Sequence, residues 1–212
     1  MWHAAVFAVL EILVILFGWH QYHVLWNEDA SRIQKAVPVA GTVALTIFLN
    51  VLMTKMTYGI TVQLNICCVY TLLCMIGRID QKTHKIPNKL VFAGMLIRTA
   101  LLAVDIVKNP DNLWQEVIFA FVGMAFGLGV MLLLCLLTRH GIGYGDVKLF
   151  AWLGYAMGLL DTYNVLFYGV LYAAIAGGYL MAVKKRGKKT KIPFAPFIFL
   201  GAYSVLIMRF LS

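Results

Sequence analysis

Long apolar runs dominate this chain, and they leave it few ways to fold. Stretches such as 115–137 and 193–211 carry almost no charge over a length that would span a bilayer. A hydrocarbon core about 30 Å thick takes roughly 17–25 apolar residues in a helix. About eight runs meet or approach that length: 3–25, 37–54, 57–77, 89–107, 115–137, 147–160, 163–183 and 193–211. They are continuous rather than alternating, which excludes a membrane β-barrel. The expected fold is therefore all-α: a polytopic membrane bundle of about eight transmembrane helices, forming one membrane-embedded domain over 1–212. The run 147–160 is short. It must tilt, begin before Asp146, or sit partly in a protein-lined cavity. The first run has neither a basic start nor a small-residue cleavage site, and reads as a retained helix.

Composition agrees. Hydrophobic residues make up 62% of the chain and charged ones 13%, where a soluble domain has about 25% charged residues. The formal charge is +9, but its distribution matters more. Arg78, Lys82, Lys85 and Lys89 crowd the loop near 78–89, Arg139 and Lys148 lie near 138–148, and KKRGKKTK at 184–191 holds six basic residues and no acid. The alternate loops differ: Asp105, Asp111 and Glu116 oppose Lys108, and the loop near 161 has only Asp161. Lys and Arg mark cytoplasmic loops. The basic loops are thus expected in the cytoplasm of a cell inner membrane, with both termini outside. The basic run reads as a topology signal that could also bind anionic lipid; a nucleic-acid partner is not expected. Cys67, Cys68, Cys74 and Cys135 all fall in apolar runs with no C-x-x-C pair, as free buried thiols do.

This topology puts two acids on one side of the membrane, each at a span boundary. Asp80 lies just past the third run and Asp146 at the start of the sixth. Alone, Asp80 would read as a solvated charge, and the GYGD segment as a loop with a capping aspartate. Together they suit peptide hydrolysis: one carboxylate takes a proton from water while the other, protonated, donates to the carbonyl oxygen. Two like charges at close range share one proton and titrate as a unit. Asp146 is placed like an N-cap, where the helix dipole favours the ionised form; Asp80 follows a helix C-terminus, where it does not. Asp146 is therefore expected to start as base and Asp80 as acid. Gly141, Gly143 and Gly145 would permit backbone shapes closed to other residues and let a substrate strand approach.

At these residues the chain resembles the type IV prepilin peptidases, membrane aspartic proteases with a G-x-G-D motif. Asp80 is followed by Lys85-Ile86-Pro87-Asn88, like the family's aspartate and hydrophobe-Pro step. Gly143-Tyr144-Gly145-Asp146-Val147-Lys148 is similar to the G-x-G-D-x-K pattern. Lys191-Ile192-Pro193-Phe194-Ala195-Pro196 looks like the I-P-F-G-P segment before the last helix, with Ala195 in place of glycine. The match runs from about residue 75 to 200. The resemblance implies an endopeptidase that removes the basic leader of prepilins or pseudopilins at the cytoplasmic face. It implies Asp80 and Asp146 as the catalytic pair, with Gly143, Gly145, Lys148, Pro87, Pro193 and Pro196 shaping the site. Lys148 would then support the site or face lipid. Water is the nucleophile, and neither metal nor organic cofactor is expected. Many members carry a paired C-x-x-C insert associated with N-methylation. The corresponding loop here, near 27–36, is short and holds no cysteine, so neither methyltransferase activity nor zinc is expected.

Charged residues inside spans usually find partners. Glu11 and Arg98 either pair with each other, or Arg98 reaches an interface along its stem and Glu11 is protonated. His20 and His23 are expected at the membrane boundary. His84 and His140 fall near the two acids, too few for a metal site. Two rival functions remain: a presenilin-like intramembrane protease, which shares G-x-G-D, and a proton-coupled transporter using the acids as a relay.

Overall fold

The computed structural model describes residues 59–138, 143–182 and 193–211, together with Gly41, Ala44 and Phe48. The described residues form helices and no strand. The helices are α1 (Ile60–Thr83), α2 (Asn88–Lys108), α3 (Leu113–Leu137), α4 (Tyr144–Ala182) and α5 (Ala195–Leu211), with a 3-10 turn Pro110–Asn112 leading into α3. Helices α1 to α4 are long and apolar enough to cross a membrane, and α5 is apolar and shorter. The expected spans 3–25 and 37–54 lie almost wholly outside the described residues, as do the basic run 184–191, Glu11, His20, His23 and His140.

Helix α1 is the pillar. It is buried along nearly its whole length, as expected of a helix that is apolar all round. Against it pack Leu90 and Val91 of α2, Leu149, Phe150, Trp152 and Leu153 of α4, and Ala195, Ile198, Ala202 and Val205 of α5. Most of α3 and the later part of α4 stay exposed and apolar, the surface a bilayer would cover. Cys67, Cys68, Cys74 and Cys135 are free and buried, as their sequence context indicates.

In lipid, helices gain little by hiding apolar surface from each other, and close packing decides their contacts. The α3–α4 seam follows that rule. A Cβ added at Gly123 would strike the Gly154 carbonyl, and one at Gly127 the Phe150 carbonyl. Gly123 and Gly127 stand four apart on α3, so one bare stripe lets two backbones touch.

The structure corrects the expected loop at Asp161. Runs 147–160 and 163–183 do form two helices, numbered together as α4, but they meet at Gly158 (φ 79°, ψ −179°) rather than at Asp161. That positive φ is open to glycine and strained for other residues. The direction of the chain reverses there. Before the break, Asn65 near the start of α1 bonds Ala156, and Asp146 neighbours Asp80 near the end of α1, so α4 first runs antiparallel to α1. After it, Asp161 meets Arg209 and Tyr172 meets Ser204, so α4 runs antiparallel to α5. Helix α5 is itself antiparallel to α1, through Tyr70 with Ala202 and Asp80 with Ala195. Two spans thus turn on a single residue. The break strands carbonyls, as any helix end does, and Asn65 Nδ2 donates to the Ala156 carbonyl at 2.7 Å. Asp161 is no loop residue: it is buried and ion-paired with Arg209.

Substitutions separate these contributions. Gly123→Ala should destabilise the protein by about 1–3 kcal/mol, because backbone cannot step aside for the new methyl. Gly129→Ala, whose added Cβ meets nothing within 4 Å, should be neutral or stabilising by roughly 0.5–1 kcal/mol. Thermal unfolding in detergent reads both, and equal effects would contradict the backbone contact. Arg209→Gln strands the Asp161 carboxylate. Since Arg209 is 38% exposed, the loss should be about 1–3 kcal/mol, short of that for a fully buried pair. Adding Asp161→Asn should restore part of it.

Candidate active site

Asp80 and Asp146 converge at one end of the bundle. Asp80 lies in the last turn of α1, not beyond it, because the helix runs on to Thr83. It is only 6% exposed. The helix stops at His84, a non-glycine residue in the left-handed region (φ 50°) whose N–H bonds the Asp80 carbonyl at 2.9 Å. Asp146 is half-buried in the first turn of α4, where its N–H bonds the Gly143 carbonyl at 3.0 Å. The carboxylates are near enough for the charge of Asp80 to bear on Asp146, and the Gly143 backbone amide faces the Asp146 side chain.

A third element completes the site. The Ala195 N–H, at the N-terminus of α5, donates to Asp80 Oδ2 at 3.0 Å, and the Phe194 backbone also faces that carboxylate. A helix N-terminus presents unpaired N–H groups and the positive end of its dipole, and so favours negative charge. Sequence reasoning assigned the proton from α1 and α4 alone, and reached the start of α5 only through the resemblance, at Pro193 and Pro196. It noted Ala195 only as a small residue. The available signal was the proline-flanked start at Pro193 and Pro196, since proline suits the first turn of a helix. Phe194 stacks on Phe150 of α4 at 6.4 Å between ring centroids, which ties the entry to α5 to the helix bearing Asp146. Pro196 lies against Gly77 of α1, where an added Cβ would come 3.4 Å from the Pro196 Cα.

The remaining predicted residues take supporting positions. Gly145 faces Ile86, and a Cβ there would sit 3.1 Å from the Ile86 Cβ. The glycine lets the first turn of α4 approach the 84–87 turn. Pro87, extended at ψ 116°, caps the start of α2. Gly143 is exposed, and its part is played by its backbone. Lys148 is exposed and donates from Nζ to Asn88 Oδ1 at 3.4 Å. It bridges α4 to α2. His84 is exposed, and its charge bears on Asp80. Among the described residues, no group of three His, Cys, Asp or Glu side chains is placed to hold a metal ion. Arg98 is buried and lies 3.8 Å from Glu116 in the first turn of α3. Its expected partner, Glu11, is outside the described residues.

Comparison with known proteins gives this arrangement a family. Over 172 residues the chain is 27% identical to the prepilin leader peptidase/N-methyltransferase of Bacillus subtilis (strain 168), covering 81% of this chain and 65% of that protein. It is 29% identical over 132 residues to the protein of that name from Xanthomonas campestris pv. campestris, covering 60% of this chain and 44% of the relative. It is 31% identical over 132 residues to the type 4 prepilin-like proteins leader peptide-processing enzyme of Escherichia coli O78:H11, covering 62% and 46%. The chain thus spans about half to two thirds of the length of these curated relatives. No solved structure matches it significantly. The pattern of the type IV leader peptidase family matches residues 67–178, more than half of the chain, and that stretch holds both aspartates. With its long apolar helices, this chain is a multi-pass membrane protein and belongs to the type IV leader peptidase family.

Proposed function

We propose that this protein is an aspartic endopeptidase that removes the leader of type IV prepilin-like precursors, with Asp80 and Asp146 as its catalytic dyad. The observation that carries the reading is the meeting of these two side chains. They lie far apart in sequence, yet bear on one another at one bundle end. The names of the relatives support the substrate class. The proposal concerns peptide cleavage alone.

One proton serves the pair. An ionised carboxylate draws a proton from water as the water attacks the scissile carbonyl carbon, and the protonated partner donates to the carbonyl oxygen. We assign the starting negative charge to Asp80. The α5 N-terminus is aimed at it, and a hydrogen bond to the charged form favours that form. This reverses the order expected from α1 and α4 alone. Asp146, at the mouth of the site, then starts as the acid. Gly143, exposed beside the Asp146 carboxylate, leaves an extended substrate strand room to approach. Arg78, Lys82, Lys85, Lys89 and Lys148 lie near the same end, and by the positive-inside rule that end faces the cytoplasm. A basic leader would be drawn to the two acids and to anionic lipid rather than to these cations.

The decisive measurement is cleavage of a tagged prepilin by purified protein in detergent, with the new N-terminus read by mass spectrometry. Asp80→Asn and Asp146→Asn should each slow cleavage by about a hundred- to ten-thousand-fold, while unfolding temperatures stay near that of the parent. The rate should fall at low pH, when both acids are protonated, and at high pH, when neither is. Variants that cleave normally would end the proposal. Cleavage within the substrate's apolar span, rather than before it, would shift the reading to intramembrane proteolysis.

A further inference from the structure

The end of the bundle opposite the aspartates holds a cavity of about 470 Å³ that the peptidase reading does not use. Volumes in this range suit small molecules and lipid head groups. Part of the wall is apolar, with Val62, Val69 and Phe119; part is charged. Such a mixed wall in a bundle of membrane helices suits an amphiphile better than a soluble metabolite.

The charges in the wall are unevenly matched. Asp161 and Arg209 satisfy each other. Arg98 is different. It is only 5% exposed, and its Nε is buried with no hydrogen-bond partner. Among the described residues its one ion pair, from Nη2 to Glu116 Oε2, measures 3.8 Å, beyond hydrogen-bond reach, and the Glu116 side chain is 44% exposed. A buried guanidinium without close acceptors is expensive. Arginine also favours phosphate oxygens over most other acceptors. Beside it, Asp105 and Glu116 line the cavity, and among the described residues the 3.8 Å contact with Arg98 is the one ion pair that either makes. A simple anion would satisfy Arg98 and be repelled by these two acids. A group with both signs, a phosphate for Arg98 and an ammonium for the acids, matches the whole set.

We propose that this cavity binds a phosphate diester bearing a primary ammonium, the head group of phosphatidylethanolamine. The phosphate lies on Arg98, the ammonium on Asp105 and Glu116, and the lipid's apolar part against the uncharged wall. The site is separate from the aspartates and does not depend on what they cleave.

The test is thermal unfolding of the full chain in uncharged detergent micelles doped with one lipid at a time. Phosphatidylethanolamine should raise the melting temperature by about 2–4 °C, the size expected of modest site saturation in a chain of this length. Phosphatidylglycerol, which lacks the ammonium, and phosphatidylcholine, whose quaternary nitrogen donates no hydrogen bond, should raise it less. Arg98→Gln should remove the preference. Asp105→Asn, at a half-buried position that should fold whatever Arg98→Gln does, should bring phosphatidylethanolamine down to the level of phosphatidylglycerol. Soluble phosphoethanolamine separates the sources. Stabilisation by it alone, lost in Asp105→Asn, would support the site with a free ligand in place of a lipid. Equal shifts from all three lipids, or a preference that survives in Asp105→Asn, would overturn the proposal.

Discussion

Inside a membrane every polar group has to be answered by another, because lipid answers none. That constraint organises this bundle. The Asn65 amide meets the Ala156 carbonyl, the Tyr70 hydroxyl meets the Ala202 carbonyl, and Asp161 meets Arg209. Each bond joins two helices, and between them they tie α1, both parts of α4, and α5. The Ala195 N–H on Asp80 Oδ2 belongs to the same set. A helix start in need of an acceptor and a buried carboxylate in need of donors satisfy each other. Structural and chemical demands therefore meet in one hydrogen bond.

Glycine supplies the other half of the assembly. At Gly123, Gly127 and Gly154 it removes the side chain that would hold α3 away from α4. At Gly158 it supplies a backbone angle that turns one span into two. Gly145 brings the start of α4 against Ile86. Helix α4 is thus held on α3, reversed at its far end, and seated against the turn after α1. Asp146 reaches Asp80 because all three hold.

Much of this is legible in the sequence, for physical reasons. Apolar runs of sufficient length show themselves, and the described helices follow the runs 57–77, 89–107, 115–137 and 193–211 to within a few residues, apart from the longer end of α1. Asp80 and Asp146 stand out because the basic loops 78–89, 138–148 and 184–191 hold no other acid. The misreadings have one source. A charge in an apolar stretch looks like a loop, as Asp161 did, unless its partner is known, and Arg209 lies 48 residues away. The reversal between runs 147–160 and 163–183 was expected at Asp161 and falls at Gly158, because one glycine among many carries no local mark. The approach of α5 to Asp80 is a tertiary fact, which only α1 packed on α5 reveals. Arg98 was read as needing a carboxylate partner or a route to the interface, and it lies nearest Glu116, one helix further along the chain.

The turn at Gly158 also limits how far the first part of α4 extends. From Tyr144 to Met157 the helix advances about 21 Å at 1.5 Å per residue, some 9 Å less than a hydrocarbon core about 30 Å thick. Hydrophobic mismatch of this sign is relieved by drawing the leaflets together. A dent of this kind would form beside Asp146, at the end of the shortened arm away from Gly158. On the proposed function, hydration would there descend to the carboxylates, and a peptide bond at the edge of an apolar segment would meet them without that segment leaving the lipid.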